Sequence, residues 1–502
     1  MWLRWRRTCA PSSSSASIRN RGVWRYGGST CRCITLRPTR QHRWTTPSPR
    51  QPHSPLPGTR SFWLRRVHLW ISLHRMPNAV RNSLNLFDYS AVIMPILEAP
   101  ALSERALARR NDIQRALIVM LVSTAALTII GVVMVFSATA PSSIRAANAN
   151  PDVKLFSIAT HQALTTLVGI VGLIVMALIP YNVTRKFVHV LLTLGLGLQV
   201  AVLIQGGGVA GNNNWLSVGG ITVQPSEFIK IALVLWLAHM LARLPLKEVE
   251  SPITLWIPAA GFFASVGLVV GGGDVGTALI FMLLGGGLFF LAGMRVKHLG
   301  IVMFAGSLVA GLLVAAKPSR LRRVGEYFSD LFAMPDTIAP TQTEFAQFAF
   351  GTGGITGAGI GAGKEKWRDL SEAHTDFIFA VIGEELGLLG ALTVIALFIA
   401  LGWALIEICR KHPTRYGQLM AAGAVLWLCG QAFANMFVVT GLLPVFGVPL
   451  PFISMGGSSM LATLAMIGCV ASAALAVPGV RESWRVRGSL VQRIRTLVRS
   501  NG

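Results

Sequence analysis

The chain has 502 residues, 52% hydrophobic and 13% charged, with a formal net charge of +24. Soluble domains are usually about 25% charged, so this balance excludes an ordinary water-soluble globule and fits a chain solvated largely by lipid. The positive charge does not point to nucleic acid, because most of it sits in residues 1–93, which hold sixteen Arg, no Lys and a single acid, Asp88.

Residues 1–93 are rich in Arg, Ser, Pro and Trp and show no helical or strand period. They read as an over-long start, with the true start at Met76 or Met94, or as a disordered tail; a transit peptide or basic arm is the functional alternative. Cys9, Cys31 and Cys33 fall here, and Cys409, Cys429 and Cys469 fall in apolar runs, so neither a disulfide framework nor a zinc site is expected. The remaining organisation is a membrane domain over 94–480 and a basic tail over 481–502.

Apolar runs of membrane-crossing length recur from residue 116. Ten spans are predicted, near 116–140, 158–180, 187–205, 228–244, 253–271, 276–293, 298–316, 377–409, 417–443 and 451–478. Backbone polar groups must be satisfied internally in lipid, so the spans are helices and the fold class is an all-α polytopic membrane protein. Arg185 and Lys186, Arg243 and Lys247, Arg295 and Lys297, and Arg410, Lys411 and Arg415 follow spans two, four, six and eight. Residues 206–226 and 444–459 carry no charged residue. The positive-inside rule then places both termini in the cytoplasm and the long loop 317–375, between spans seven and eight, outside. A loop of that length in a compact protein is usually functional.

Three outward-facing stretches carry the candidate chemistry. The first runs from Gly211 to Lys230. Pro225 suits the first turn of a helix, and Glu227 and Lys230 share a helix face at i, i+3, as a structural ion pair or as groove residues. Trp215 is either an interfacial aromatic or a groove wall. The second is the long loop, with Arg320, Arg322 and Arg323 at its start, the glycine run Gly351–Gly363, and Lys364 to Asp376 at its end. The glycine run is not a phosphate-binding P-loop, since Lys364 is followed by Glu365; it lets backbone approach a ligand or another helix closely. The basic residues suit a diphosphate headgroup, or else they are membrane-flanking charges. Asp376, at the start of span eight and near Glu372 and His374, is either an N-cap or a carboxylate held ionised by the helix dipole and able to take a proton from a sugar hydroxyl. The third stretch is the broken segment Gly441–Ser459. Asp274, between spans five and six, is a cap or a functional ionisable group.

Four blocks carry a family resemblance: Gln224-Pro-Ser-Glu-Phe-Ile-Lys230, Asp274-Val-Gly-Thr277, Glu372-Ala-His-Thr-Asp through Gly387, and Pro449-Leu-Pro-Phe-Ile-Ser-Met-Gly-Gly-Ser-Ser459. In that order they resemble the signature blocks of SEDS-family peptidoglycan glycosyltransferases over about residues 110–480, and the third block is closer in wording to the division branch than to the elongation branch. The resemblance implies ten transmembrane helices and polymerisation of lipid II at the outer membrane face. It carries the catalytic Asp onto Asp376 and substrate contacts onto Trp215, Arg322, Arg323 and Lys366, with Asp274, Glu227, Lys230, His374 and Ser458 completing the expected substrate site. The sequence departs from the family pattern at Asn214, Gly272-Gly273, Ser371 and Phe345-Ala346. The resemblance further implies a class B penicillin-binding transpeptidase and other division proteins as partners, and no nucleic acid. No metal-ligating set is assigned, and a divalent ion, Mg or Mn, is the one cofactor expected, as an alternative to basic side chains at the leaving diphosphate. A lipid II flippase and a non-catalytic division scaffold are the rival readings.

Overall fold

The computed structural model describes residues 104–149, 156–205, 214–218, 221–245, 249, 253–315, 325, 341–367, 370, 372–482. The chain divides into Met1–Ala99 and Pro100–Gly502, and the described residues all belong to the second unit. The expected N-terminal segment, Arg320, Arg322, Arg323 and the tail beyond residue 482 lie outside them.

The described chain is helical apart from one short hairpin. In order, the helices are α1 (Glu104–Ala149), α2 (Ser157–Leu178), α3 (Tyr181–Lys186) and α4 (Val188–Gln205). The hairpin β1 (Leu216–Val218) and β2 (Ile221–Val223) pairs antiparallel, with Ser217 opposite Thr222. Then come α5 (Pro225–Arg243), α6 (Trp256–Gly271), α7 (Val275–Ala292), α8 (Val296–Ala315) and α9 (Gln342–Gly353). The last are α10 (Ile378–Glu385), α11 (Gly387–Lys411), α12 (Arg415–Ala424), α13 (Gly430–Val439) and α14 (Gly457–Leu475).

Eight segments are long and apolar enough to cross a membrane, counting α12 to α13 as one; α6 and residues Val296–Leu308 of α8 are shorter apolar helices. These ten correspond one to one with the predicted spans. The protein is therefore a multi-pass membrane protein of all-α class. The exposed Val, Leu and Ile side chains along α2 and α4 belong to this setting, since lipid rather than water is their solvent.

Three helices depart from the prediction. The first span lies within a 46-residue helix, about 70 Å long at 1.5 Å per residue, which reaches beyond a hydrocarbon core of about 30 Å. The predicted eighth span is not continuous: it breaks at Leu386, between α10 and α11, and Gly387, the first residue of α11, has φ 68°. A Cβ there would lie 2.3 Å from the Gly357 nitrogen, so the break exists because the glycine loop packs into it. The ninth span contains a π-helical turn at Val425–Cys429, a distortion often found where helix side chains must be re-aimed at a site.

The bundle is built on α14 against α2, α11 against α1 and α4 against α5, with α5, α7, α12 and α14 packed around a common core. Small residues set the close approaches. Gly131 of α1 admits the Phe452–Ile453 backbone, and a Cβ there would fall 2.4 Å from the Phe452 oxygen. At the end of the bundle away from Asp376, Arg415 donates to the Leu244 and Ala292 oxygens, both at 2.7 Å, and so closes the C-terminal ends of α5 and α7. Lys411 pairs there with Asp112 at 3.1 Å, tying α11 to α1.

Candidate functional site

Asp376 lies in the turn Glu372–Phe377 that leads into α10. Glu372 has a left-handed backbone, φ 57°, unusual for a residue with a side chain and a mark of a turn held by its surroundings. The turn closes on itself through Thr375 N–H and Phe377 N–H, which donate to the Glu372 oxygen at 3.1 and 3.2 Å. Thr375 Oγ1 donates to the Glu372 carboxylate at 2.6 Å.

The third sequence stretch holds this turn from outside. Met455 N–H donates to the His374 oxygen at 2.9 Å, and Ser454 Oγ donates to the Thr375 oxygen at 2.6 Å. Asn435 of α13 donates from Nδ2 to the Asp376 oxygen at 2.7 Å and to the Val448 oxygen at 2.8 Å. Gly447, at φ 70°, runs beneath the carboxylate: a Cβ there would sit 3.5 Å from Asp376 Oδ2. The helix-entry stretch joins on the other side. Gln224 N–H donates to Ser458 Oγ at 3.0 Å, and its side chain donates to Asp274 Oδ2 at 3.3 Å. Asp274 caps α7, accepting from Thr277 N–H at 2.8 Å. Four segments separated by up to 234 residues thus meet at one end of the bundle.

Gly276 makes one of these meetings possible. A Cβ there would lie 2.0 Å from the Phe446 oxygen, so Gly276→Ala should push the 446–448 segment away from Asp376. Overpacking of this kind typically costs about 1–3 kcal/mol; thermal denaturation in detergent should show the variant destabilised, with reduced activity.

The electrostatics differ from the expectation. Asp376 does not cap α10, whose N-cap is Phe377 with no side-chain hydrogen bond, and the dipole does not hold its carboxylate ionised. Burial, then Glu372, then Asp274, push its pKa up from the usual carboxylate value to about 7. Burial, partly opposed by the Thr277 hydrogen bonds, likewise raises Asp274. Burial lowers His374, against the pull of Glu372, and so favours a neutral imidazole. A carboxyl poised near neutrality can be deprotonated at working pH and still bind a proton well, which is the better condition for a general base.

Three expected substrate contacts are redirected inward. Lys230 is buried and pairs with Glu227 at 2.8 Å; it also donates to Gln431 Oε1 at 2.9 Å and lies 5.2 Å from the centre of the Trp427 ring. The Glu227–Lys230 pair is therefore directed into the bundle, where Gln431 and Trp427 complete the contacts of Lys230. Lys366 is also fully buried, in an ion pair with Glu385, and is not presented to a headgroup. The glycine run cradles protein carboxylates: Lys364 N–H and Glu365 N–H donate to Glu384 at 2.6 and 3.2 Å, and Gly361 N–H donates to Glu385 at 3.1 Å. Trp215, ahead of β1, leaves its indole partly exposed, while its neighbour Asn214 is buried.

Sequence reasoning passed over Gln431, Asn435, Glu384, Glu385 and Ser137. Gln431 and Asn435 are spaced i, i+4 in an otherwise apolar span, and that polar stripe was the available signal. Gln431 donates to the Pro449 oxygen at 2.7 Å and so supports the same segment as Asn435. Among the described residues no group of three His, Cys, Asp or Glu side chains converges as a metal site.

The model of the cell cycle protein family that groups FtsW, RodA and SpoVE matches residues 117–477. The chain belongs to this family. The FtsW/RodA/SpoVE match covers the helical bundle from within α1 to the end of α14 and every segment at the Asp376 site. A relative from Trichlorobacter lovleyi, named a probable peptidoglycan glycosyltransferase FtsW, is 37% identical over 361 residues, 70% of this chain and 91% of the relative. Stage V sporulation protein E of Bacillus subtilis is 33% identical over 361 residues, 70% of this chain and 94% of that protein. The fold is similar to a chain of a peptidoglycan synthase complex described as coordinating polymerization and crosslinking, with TM-score 0.56, 24% identity and coverage of 72% and 98%. It is also similar to Thermus thermophilus RodA, with TM-score 0.50, 24% identity and coverage of 71% and 95%.

Proposed function

We propose that this FtsW-like member of the family is a peptidoglycan glycosyltransferase that polymerises lipid II during septal wall synthesis, with Asp376 as its general base. The observation that carries this reading is a half-buried carboxyl, poised near neutrality, at the meeting point of the four family blocks. The loop charges of the sequence orient this end outward and both termini inward, which puts the site where a lipid-anchored substrate presents its sugars.

In the reaction, Asp376 takes the proton from the acceptor sugar 4-hydroxyl as that oxygen attacks the anomeric carbon of the donor. The anomeric carbon–oxygen bond to the diphosphate breaks, and the lipid diphosphate departs with the bonding electrons. The Asn435 and Ser454 hydrogen bonds hold the turn so that the carboxylate meets the oxygen without reorganisation, and His374, two residues before the base on the same turn, is the candidate to orient the hydroxyl. Arg322 and Arg323 are assigned to the departing diphosphate; Lys366 is not, because Glu385 occupies it. A divalent ion, Mg or Mn, is the alternative to these arginines and would supply charge neutralisation to the leaving group, with the substrate phosphates among its ligands. A class B penicillin-binding transpeptidase and other division proteins are the partners in this reading.

The test is purified protein in proteoliposomes loaded with lipid II, with glycan chain length and headgroup translocation measured separately. Chain formation that depends on the protein supports the proposal. Translocation without chain formation contradicts it and favours a flippase.

A further inference from the structure

Beyond the base itself, the structure contains a second polar centre in which every group is buried and partnered. Glu385 is the last residue of α10, and its side chain and that of Lys366 are inaccessible to solvent. Lys366 Nζ donates to Glu385, to Ser137 Oγ at 2.8 Å and to the Ser137 carbonyl at 3.3 Å. Ser137 Oγ donates in turn to the Glu385 carboxylate at 2.7 Å. Gly361 N–H takes the remaining approach to Glu385 Oε2. Burying an ion pair and a hydroxyl is unfavourable unless their hydrogen bonds are satisfied in this way.

We propose that Ser137, Lys366 and Glu385 are positioning residues that set the place of Asp376. The inference rests on the reading of Asp376 as the base. Lys366 precedes Asp376 by ten residues and Glu385 follows it by nine, so their pair closes a chain loop with the reactive carboxyl in its middle. The outgoing arm of that loop is α10, a rod about 12 Å long at 1.5 Å per residue. Ser137 fixes the far end of the rod to α1, and Asn435 fixes the near end to α13. The neighbouring Glu384, held by Lys364 N–H, Glu365 N–H and Thr352 Oγ1, prevents α10 from rotating about its axis. The near end is held through the His374, Thr375 and Asp376 carbonyls by Met455, Ser454 and Asn435, so a shift of the far end is passed along the α10 rod to the turn that carries Asp376. A displacement of about 1 Å in a reacting group can reduce a rate by about 100-fold.

The experiment compares Ser137→Ala, Glu385→Gln, Lys366→Met and Asp376→Asn as detergent-purified full chains in a lipid II polymerisation assay. Melting temperature, kcat, KM and the pH profile are measured for each. Ser137→Ala removes one hydroxyl from a helix and keeps the ion pair, so it reports even if Lys366→Met does not fold. The expected result for Ser137→Ala and Glu385→Gln is a fall in kcat of about ten- to a hundred-fold. KM should stay within about two-fold, and the pH midpoint should be unchanged because the base is the same group. Unchanged kcat per folded molecule with a lower melting temperature would show a purely structural latch and overturn the proposal, as would a rise in KM alone. If Asp376→Asn were as active as the parent chain, the reading of the base would fail; if Asp376→Asn were inactive and the latch variants kept full kcat, only the positioning proposal would fail.

Discussion

Asp376→Asn is expected to reduce polymerisation by about 10²- to 10⁴-fold, the range a positioned general base contributes. The substitution preserves size and shape. It also preserves the backbone oxygen that Asn435 holds, so the Glu372–Phe377 turn should persist. What disappears is a group able to accept the sugar proton. Stability should move the other way. The Asp376 carboxyl has a folded pKa of about 7, above its unfolded value near 3.9. Its protonation therefore favours the folded chain at low pH, and that advantage is lost as pH rises through about 7. The Asn variant has no such loss, so its melting temperature should gain on the parent chain over that interval. A variant less active and more stable at alkaline pH would separate the chemistry of this group from its packing.

Lys230→Met should be the most destabilising single change in the bundle. The ammonium is buried and engaged by Glu227, Gln431 and the face of Trp427. Removing it leaves Glu227 as a buried, uncompensated charge on the first turn of α5, and breaking buried pairs from one side costs about 3–5 kcal/mol. Gln431 Oε1 also loses one of its two donors, keeping only Trp427 Nε1, and with that its donation to the Pro449 oxygen beneath the site is weakened. Glu227→Gln added to Lys230→Met removes the orphaned charge and should recover much of the stability, while activity recovers less. Thermal denaturation of both variants in detergent checks this; equal losses in the single and double variants would mean that the pair is not coupled.

How much of this was legible depends on the range of the interaction. Span positions follow from local hydropathy, and all ten were recoverable. The cap at Asp274 and the i, i+3 pair of Glu227 and Lys230 are local as well, and both were readable as structural features. The fate of Lys366 was not, because its partners are Glu385, nineteen residues away, and Ser137 on the first span. Without them a lysine in a basic, glycine-rich loop reads as a phosphate ligand. The same loop explains the misplaced start of span eight: the apolar run Phe377–Ile382 continues into α11 in composition, and only the packing of Gly357 against Gly387 breaks it. The helix dipole argument for Asp376 failed for a related reason. It assumed a helix beginning at that residue. The helix begins at Ile378 instead, and the turn pinned by Met455 and Ser454 buries the carboxyl, with Glu372 and Asp274 as acidic neighbours, which raises its pKa.

The most direct measurement is the pH dependence of kcat/KM for lipid II polymerisation by the purified chain at constant ionic strength. The rate should rise with pH through a midpoint near 7 as Asp376 loses its proton, and the residual rate of Asp376→Asn should lack that step. A parent profile flat from pH 5.5 to 8.5, or the same midpoint retained in Asp376→Asn, would contradict the assignment of this carboxylate as the base.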